Sequence, residues 1–426
     1  MRAFWSAKLR SRQRTVLLVA GAALAGMGLL AACGSTPFGG SAATNGNTPA
    51  ASGPSSPGGT TSARTSPTAT ASSTTTAPAS ASCARPAVNT SGSGDLTGIQ
   101  FISPQQGWVV GQRDILATSD GGRHWTVQDS GSLDLTSVDF ISQQTGWAVG
   151  TSALLATTDG GEHWESLTDP CLRSVHFISA DLGFAVAGGT GSTVRAMAPA
   201  YGGKALVTTD GGSTWQPLHT PAGVQTLCFD DPADGWLGAA GKLYRTTDGG
   251  RTWTLVTAGP KPPSVGSVAS MSVQCAGRGD AWALDIGPGA AMNQEPHIGY
   301  YASGSGAVPL FAEQYFPHSG VSVTTQSPGS YSGPVSAISP TSAAFLDWCP
   351  ACGPGTVPWG LVTGTTLTRE GNVAGLTQPQ SASFLSPQLG WVAGTFTRFG
   401  RTTTRVYQRI VWTGNGGRTW RVLYSS

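Results

Sequence analysis

One octet recurs along this chain: Thr118-Ser-Asp-Gly-Gly-Arg-His-Trp125, then Thr157 to Trp164, Thr208 to Trp215 and Thr246 to Trp253. A fifth copy, Thr413-Gly-Asn-Gly-Gly-Arg-Thr-Trp420, carries Asn415 in place of the aspartate. An internal repeat restricts the fold more than local propensity does, because each unit must pack on a near copy of itself. The terminal tryptophans lie 39, 51, 38 and 167 residues apart. The last gap is about four periods long, so it holds units that keep their strands and lack the octet.

A second repeat counts those units. Upstream of each octet an apolar strand runs through a polar turn into Gly plus an aromatic residue. The copies are Phe101-Ile-Ser-Pro-Gln-Gln-Gly-Trp108, Phe140 to Trp147, Phe177 to Phe184, Phe229 to Trp236, Cys275 to Trp282 and Phe384 to Trp391, with a blurred version from Ile338 to Phe345. In the second unit the pattern predicts four short strands, at 136–142, 146–150, 153–158 and 163–167, separated by turn residues rather than helical caps. Such a sheet cannot bury both faces alone, so units stack around an axis. From Asp95 to Ser426 the 332 residues allow about 47 per unit. The expected fold is all-β, a seven-bladed β-propeller of four-stranded antiparallel blades over 95–426.

The octet reads as a folding device. Its aspartate is expected to accept backbone N–H groups two residues on, and Gly-Gly supplies positive φ without steric cost. Its tryptophan is expected to bury its ring against the neighbouring blade and place its N–H on a backbone carbonyl. Asp120, Trp125, Asp159, Trp164, Asp210, Trp215, Asp248, Trp253, Asn415 and Trp420 are therefore assigned structural roles.

The octets resemble the Asp-box of bacterial neuraminidase (BNR) repeats. Together with the Gly-Trp strands they resemble propellers of the photosystem II assembly factor type, and more distantly the sialidase superfamily. The likeness covers about 330 residues. It implies the propeller fold, with the boxes at its periphery and away from any catalytic centre.

The first residues point to export. Arg2, Lys8, Arg10, Arg12 and Arg14 precede an apolar stretch from Val16 to Leu30 and then Leu30-Ala-Ala-Cys33. This resembles a bacterial lipoprotein signal peptide, 1–32, with Cys33 as the acylated first mature residue. Several acyl chains give the stable anchoring that one does not. Removing the leader takes five of 24 basic residues and no acid, leaving a formal charge of about −3 in place of +2. No basic stripe interleaved with aromatics remains to suggest nucleic acid. Residues 33–94 are mostly Ser, Thr, Ala, Gly and Pro, a composition expected to form a disordered stalk spanning roughly 40 to 45 Å.

Six further cysteines are disulfide candidates in an exported chain: Cys83, Cys171, Cys228, Cys275, Cys349 and Cys352. Cys228 and Cys275 hold nearly equivalent strand positions in successive units and suit an inter-blade pair, and Cys83 with Cys171 is a second possibility. Cys349-Pro-Ala-Cys352 reads as a loop staple, since neither a βαβ context nor a second CxxC accompanies it.

Catalytic signatures are sparse. The sialidase resemblance implies an arginine cluster, a Tyr–Glu pair and an Arg-Ile-Pro element, and no Arg-Ile-Pro occurs. Acids outside the boxes, including Asp114, Asp181, Asp234, Asp280, Asp285 and Asp347, read as turn residues, and the histidines as isolated. No metal, cofactor or catalytic residue is expected. Binding features are better represented. Tyr300, Tyr301, Trp348 and Trp359 fall in the box-free stretch and suit a protein or glycan surface. Arg401, Arg405 and Arg409 share parity along one strand. That basic face suits an acidic partner, or equally a charged edge that discourages aggregation. The expected function is that of a lipoprotein on the outer face of the cytoplasmic membrane, scaffolding an envelope protein or glycan without chemistry. The alternative is a sialidase-like glycoside hydrolase, which would gather acids with Arg or Tyr at the channel mouth.

Overall fold

The computed structural model describes residues 96–131, 134–150, 153–188, 202–256, 270–287, 295–312, 325–349, 356–400 and 403–426. The leader and stalk, with Cys33 and Cys83, lie outside them, as do Cys352 and Arg401. The described residues form seven four-stranded antiparallel sheets, each from four consecutive strands. The protein is an all-β seven-bladed propeller.

Blade 1 holds β1 (Leu96–Phe101), β2 (Gly107–Gly111), β3 (Asp114–Thr118) and β4 (Thr126–Ser130); blade 2 holds β5 (Leu135–Phe140), β6 (Gly146–Gly150), β7 (Leu154–Thr157) and β8 (Glu165–Leu167). Blade 3 holds β9 (Leu172–Phe177), β10 (Gly183–Ala187), β11 (Lys204–Thr208) and β12 (Gln216–Pro217); blade 4 holds β13 (Val224–Phe229), β14 (Gly235–Ala239), β15 (Lys242–Thr246) and β16 (Thr254–Leu255). Blade 5 holds β17 (Ser270–Gly277), β18 (Asp280–Ile286), β19 (His297–Ser303) and β20 (Gly306–Ala312); blade 6 holds β21 (Tyr331–Ser339), β22 (Ser342–Trp348), β23 (Pro358–Thr363) and β24 (Thr366–Asn372). Blade 7 holds β25 (Gln378–Phe384), β26 (Gly390–Phe399), β27 (Thr404–Thr413) and β28 (Arg421–Ser425).

The Gly-aromatic repeat builds the seams between blades. Where it is intact, the aromatic of one blade's second strand stacks on the phenylalanine ending the next blade's first strand. Trp108 on Phe140, Trp147 on Phe177 and Phe184 on Phe229 have ring centroids 3.5, 3.5 and 3.6 Å apart. Within each blade that phenylalanine ring also lies across the glycine preceding the aromatic. A Cβ at Gly107, Gly146, Gly183, Gly235 or Gly390 would come within 2.3 to 2.6 Å of it. Glycine is required there by close approach rather than by backbone conformation.

The ring closes without strand exchange, by the same seam chemistry. Trp391 of blade 7 stacks on Phe101 of blade 1 at 3.7 Å. The Phe101 N–H donates to Ser383 Oγ at 2.9 Å, and the Leu96 N–H donates to Gln408 Oε1 at 3.1 Å.

The octets pin the hairpin between third and fourth strands in blades 1, 2, 3, 4 and 7, with one correction to the expected bonding. The aspartate reaches four residues on, not two: Oδ1 of Asp120, Asp159, Asp210 and Asp248 accepts the N–H of His124, His163, Thr214 and Thr252 at 2.8 to 3.0 Å. The opening threonine does the shorter-range work. Oγ1 of Thr118, Thr157, Thr208 and Thr246 accepts the second glycine's N–H at 2.9 Å and donates to the aspartate. Both glycines of every box have φ between 67° and 95°, where a Cβ is strained.

A second correction concerns the tryptophans. The box rings meet the first-strand phenylalanine of their own blade edge-on, as Trp125 does Phe101 at 6.1 Å. Their buried N–H groups find no acceptor among the described residues. The N–H that reaches a carbonyl belongs instead to the second-strand tryptophan. Trp108, Trp147 and Trp391 donate to the first box glycine of the following blade, Gly160, Gly211 and Gly121, at 3.1, 2.9 and 3.1 Å. In blades 1, 2 and 3 the box thus pins a hairpin and also receives the preceding blade.

Candidate functional site

First strands from all seven blades line a central cavity of about 540 Å³. Their polar side chains bridge to the next blade's backbone. Gln100 brackets Phe140, donating to its carbonyl at 3.2 Å and accepting its N–H at 2.5 Å. Asp139 accepts the Phe177 N–H at 2.5 Å, and His176 meets the Phe229 carbonyl at 2.8 Å. Gln274 brackets blade 6 through the Val335 carbonyl and the Ala337 N–H at 2.7 and 2.8 Å. Burial pushes the Asp139 carboxyl above its ordinary range, against the opposing pull of the nearby His176 ring and the Phe177 N–H. Among the lining residues Asp139 is the one carboxylate, with neither Arg nor Tyr beside it. The channel's polar groups serve blade-to-blade registry.

The aromatic candidates of the box-free stretch divide. Tyr300 and Trp359 are 1% and 0% exposed, which withdraws them as a surface. Tyr300 sits in the apolar cluster shared by blades 4 and 5, and Trp359 packs between Phe384 and Trp420 at 5.9 and 6.0 Å, in the blade 6–7 seam. Tyr301 and Trp348 are partly exposed. The Tyr301 hydroxyl donates to Asp280 at 2.9 Å, and Trp348 leans on Tyr331 at 5.0 Å.

The same stretch hides a polar cluster absent from the sequence reading. Asp285 and Asp347 are buried rather than turn residues, and His297, fully buried, is not isolated. His297 Nε2 lies 3.4 Å from Asp347 Oδ2. Asp347 also accepts the Gly329 N–H at 2.7 Å. Burial lowers the affinity of His297 for a proton, yet the Asp347 and Glu295 contacts together raise its pKa above the ordinary histidine value. The charges that face each other here are separated by tens of residues in sequence and meet only through blade packing.

A projecting hairpin carries the basic face. β26 and β27 pair with each other out to Phe399 and Thr404, whereas β25 pairs with β26 only as far as Thr395 and β28 with β27 only as far as Arg409. Arg409 is engaged by its own blade: its guanidinium lies 3.7 Å from the Phe396 ring centroid and donates to the Gly375 carbonyl at 3.0 Å. Arg405 is exposed and stands directly opposite Arg398, a residue the sequence reading passed over. The tip's other face carries Phe399 and Val406, 66% and 46% exposed. A basic face and an apolar face therefore share one ribbon whose tip, among the described residues, pairs only with itself.

Cys228 and Cys275 form a disulfide with Cα atoms 5.6 Å apart. It joins the first strands of blades 4 and 5 at the channel wall. Cys275 occupies the position that holds the stacking phenylalanine in the preceding blades, so a covalent bond stands where the aromatic seam is interrupted. Cys171 and Cys349 are each disulfide-bonded as well. Among the described residues no group of three or more His, Cys, Asp or Glu side chains is placed to hold a metal ion.

A family model described as photosynthesis system II assembly factor YCF48 matches residues 87–170. The chain resembles BNR propellers of that assembly-factor type. Among solved structures, YCF48 bound to D1 peptide is 17% identical, over 68% of this chain and 82% of that one, with a TM-score of 0.42. An ancestral GH74 enzyme is 13% identical, over 77% of this chain and 54% of that one, at 0.48. U3-55K is 10% identical, over 70% of this chain and 88% of that one, at 0.46. No curated protein matches the sequence.

Proposed function

We propose that the protein is a non-enzymatic binding or assembly scaffold, a lipoprotein anchored through Cys33 whose propeller holds an envelope protein outside the cytoplasmic membrane. The observation that carries the binding role is the match of residues 87–170 to an assembly-factor model. The channel supports it, because its polar side chains are committed to the neighbouring blade rather than converging on a substrate. The basic, partly apolar hairpin of blade 7 is the surface offered to the partner. The anchor rests on the leader and Leu30-Ala-Ala-Cys33.

Mild crosslinking in the native cells, followed by pull-down against a stalk-only control, tests the scaffold. Enrichment of one envelope protein or complex that depends on the propeller is the expected result. Recovery of glycan alone, or of nothing, overturns it and turns attention to the hydrolase alternative. Cys33→Ser tests the anchor: the protein is expected to leave the membrane fraction, and unchanged retention would reject lipidation.

A further inference from the structure

His297 opens β19 on the face of blade 5 that meets blade 6. It pairs across with Ile286, a member of the apolar cluster the two blades share, and its fully buried ring meets Phe311 edge-on at 6.5 Å. Its Nδ1 lies 2.7 Å from the Glu295 carbonyl. A carbonyl only accepts, so Nδ1 keeps its proton in either charge state of the ring. Nε2 lies 3.4 Å from Asp347 Oδ2. That oxygen already accepts the Gly329 N–H at 2.7 Å and has Ser327 Oγ at 3.3 Å, contacts that favour a carboxylate. The proton between Nε2 and Oδ2 therefore sits on the ring, and an imidazolium faces a carboxylate. Among the described residues, Asp347 and Glu295 are the charged groups acting on His297. Asp285 pairs with Ile298 and so lies on the opposite face of blade 5, Tyr331 of β21 leans on Trp348, and β20, β23 and segment 325–330 carry no titratable side chain.

Asp347 also anchors segment 325–330, the stretch leading into β21. The segment pairs with the end of β20, the Ser327 N–H donating to the Ala312 carbonyl at 2.9 Å and the Ala312 N–H to the Thr325 carbonyl at 3.0 Å. It reaches blade 6 through Gly329 on Asp347. A Cβ at Gly329 would come within 2.6 Å of the Asp347 side chain, so glycine is required by that approach. Glu295 stitches the same junction. Its N–H donates to the Ser330 carbonyl at 2.8 Å, and its Oε2 accepts the N–H and hydroxyl of Ser332 at 3.1 and 2.5 Å. One imidazole thus faces both carboxylates that fasten the entry into β21.

We infer that His297 and Asp347 form a proton-dependent latch between blades 5 and 6, closed while Nε2 carries its proton and released when that proton leaves. Without it, the Nε2 lone pair and Asp347 Oδ2 are two acceptors facing each other in a buried site, and a buried carboxylate stripped of its counter-charge is costly. Relief comes from turning Asp347 toward water, which gives up Gly329 and frees segment 325–330. Burial disfavours the imidazolium, but the contacts with Asp347 and Glu295 outweigh it and hold the pKa above the ordinary histidine value. The latch is therefore fully closed below the unfolded value of about 6.5 and is lost as pH rises through the folded value. This direction is opposite to that of the box aspartates, which are held below the ordinary carboxylate range. The latch is independent of the scaffold reading.

Hydrogen exchange of the full chain in detergent, read by mass spectrometry and corrected for the intrinsic exchange rate, tests the latch over peptides covering 325–349. Between about pH 6 and pH 9 their opening is expected to rise on the order of tenfold, with β1 and β2 unchanged. Asp347→Asn separates a latch from a merely structural pair, because an amide accepts the Gly329 N–H and donates to a neutral Nε2 at once. The rise is expected to disappear in that variant. A rise of equal size in Asp347→Asn, or a flat profile in the unaltered protein, overturns the latch. Nitrogen-15 NMR of the histidine rings in the unaltered chain, with His297 assigned through its contact with Phe311, needs no variant to fold. His297 is expected to carry both ring protons at about pH 6.5 and to lose the one on Nε2 at higher pH. A neutral ring at that pH, or loss of the Nδ1 proton instead, likewise overturns it.

Discussion

Blades 4 and 6 close their outer hairpins by opposite means. In blade 4 the box occupies the connection, β15 and β16 share two residue pairs, and the turn is held by Thr246, Asp248 and Thr252. In blade 6 there is no box, β23 and β24 pair at six positions, and the chain reverses tightly after Thr363 at Gly364, whose φ is 62°. Blade 5 behaves like blade 6, with β19 and β20 also paired at six positions. The octet is therefore one of two routes to the same hairpin, and its side-chain hydrogen bonds replace ladder hydrogen bonds.

The seams show a parallel contrast. From blade 7 through blade 4 an aromatic stack joins each pair, whereas blade 4 meets blade 5 through Cys228–Cys275. Trp236 stands second in its strand as the other second-strand tryptophans do, but blade 5 has no box glycine to accept its N–H, and among the described residues that group has no hydrogen-bond acceptor. Where the box of blade 7 follows the box-free blade 6, Arg369 donates to the Gly416 carbonyl at 2.8 Å, taking the part played elsewhere by a tryptophan.

The largest expected effect tests whether the stacks bear the ring. Trp108→Ala removes a fully buried ring together with its bond to Gly160. It is expected to cost about 3–5 kcal/mol, read as a lowered urea midpoint. An equal loss from the exposed Trp125-side residue Val127→Ala would break the contrast between seam and outer strand. Next comes the covalent seam. Cys228→Ser with Cys275→Ser is expected to cost about 2–4 kcal/mol, with hydrogen exchange rising first in β13 and β17. Uniform exchange around the ring would show that the disulfide is no substitute for a stack.

Smaller effects separate the two hairpin designs. Thr208→Ala strips the buried hydroxyl that holds Gly212 and Asp210, and a loss of about 1–2 kcal/mol is expected. Thr363→Ala, at the exposed hairpin of blade 6, should stay within about 0.5 kcal/mol. Comparable losses at the two sites would mean that the box adds nothing to its hairpin. The smallest effect is a pH dependence. Threonine hydroxyls and backbone N–H groups hold Asp210 and Asp248 down to about 2, below the unfolded value of about 3.9. Their contribution is therefore complete above about pH 4 and is lost as pH falls toward 2. Asn415 makes the corresponding bond to Thr419 at 3.0 Å without a carboxylate to protonate, so replacing Asp210 and Asp248 by Asn is expected to flatten the acid limb of the thermal-stability profile. An unchanged limb would assign acid sensitivity elsewhere.

Much of the architecture was readable because its causes are local. Gly-Gly in a turn and Gly before an aromatic are demands of backbone geometry that recur wherever the same hairpin is built, so they appear as a pattern in the chain. The bonding partners were less readable. That Trp108 rather than Trp125 reaches a carbonyl depends on which ring faces the following blade, and the burial of Tyr300 and Trp359 depends on the blades covering them. Parity along one strand pointed to Arg405 and Arg409. It could not reveal that Phe396 and Gly375 occupy Arg409, nor that Arg398 faces Arg405 across the hairpin.

The sequence by itself determined the number of blades, the place of the boxed hairpin in five of them and the all-β class, because each follows from short-range periodicity and steric limits on the backbone. Tertiary structure alone decided the closing seam between Trp391 and Phe101, the pairing of His297 with Asp347, and the presentation of a basic and an apolar face on one ribbon. Those features join residues tens to hundreds of positions apart, and contacts of that range are fixed only when the ring closes and each blade acquires its neighbour.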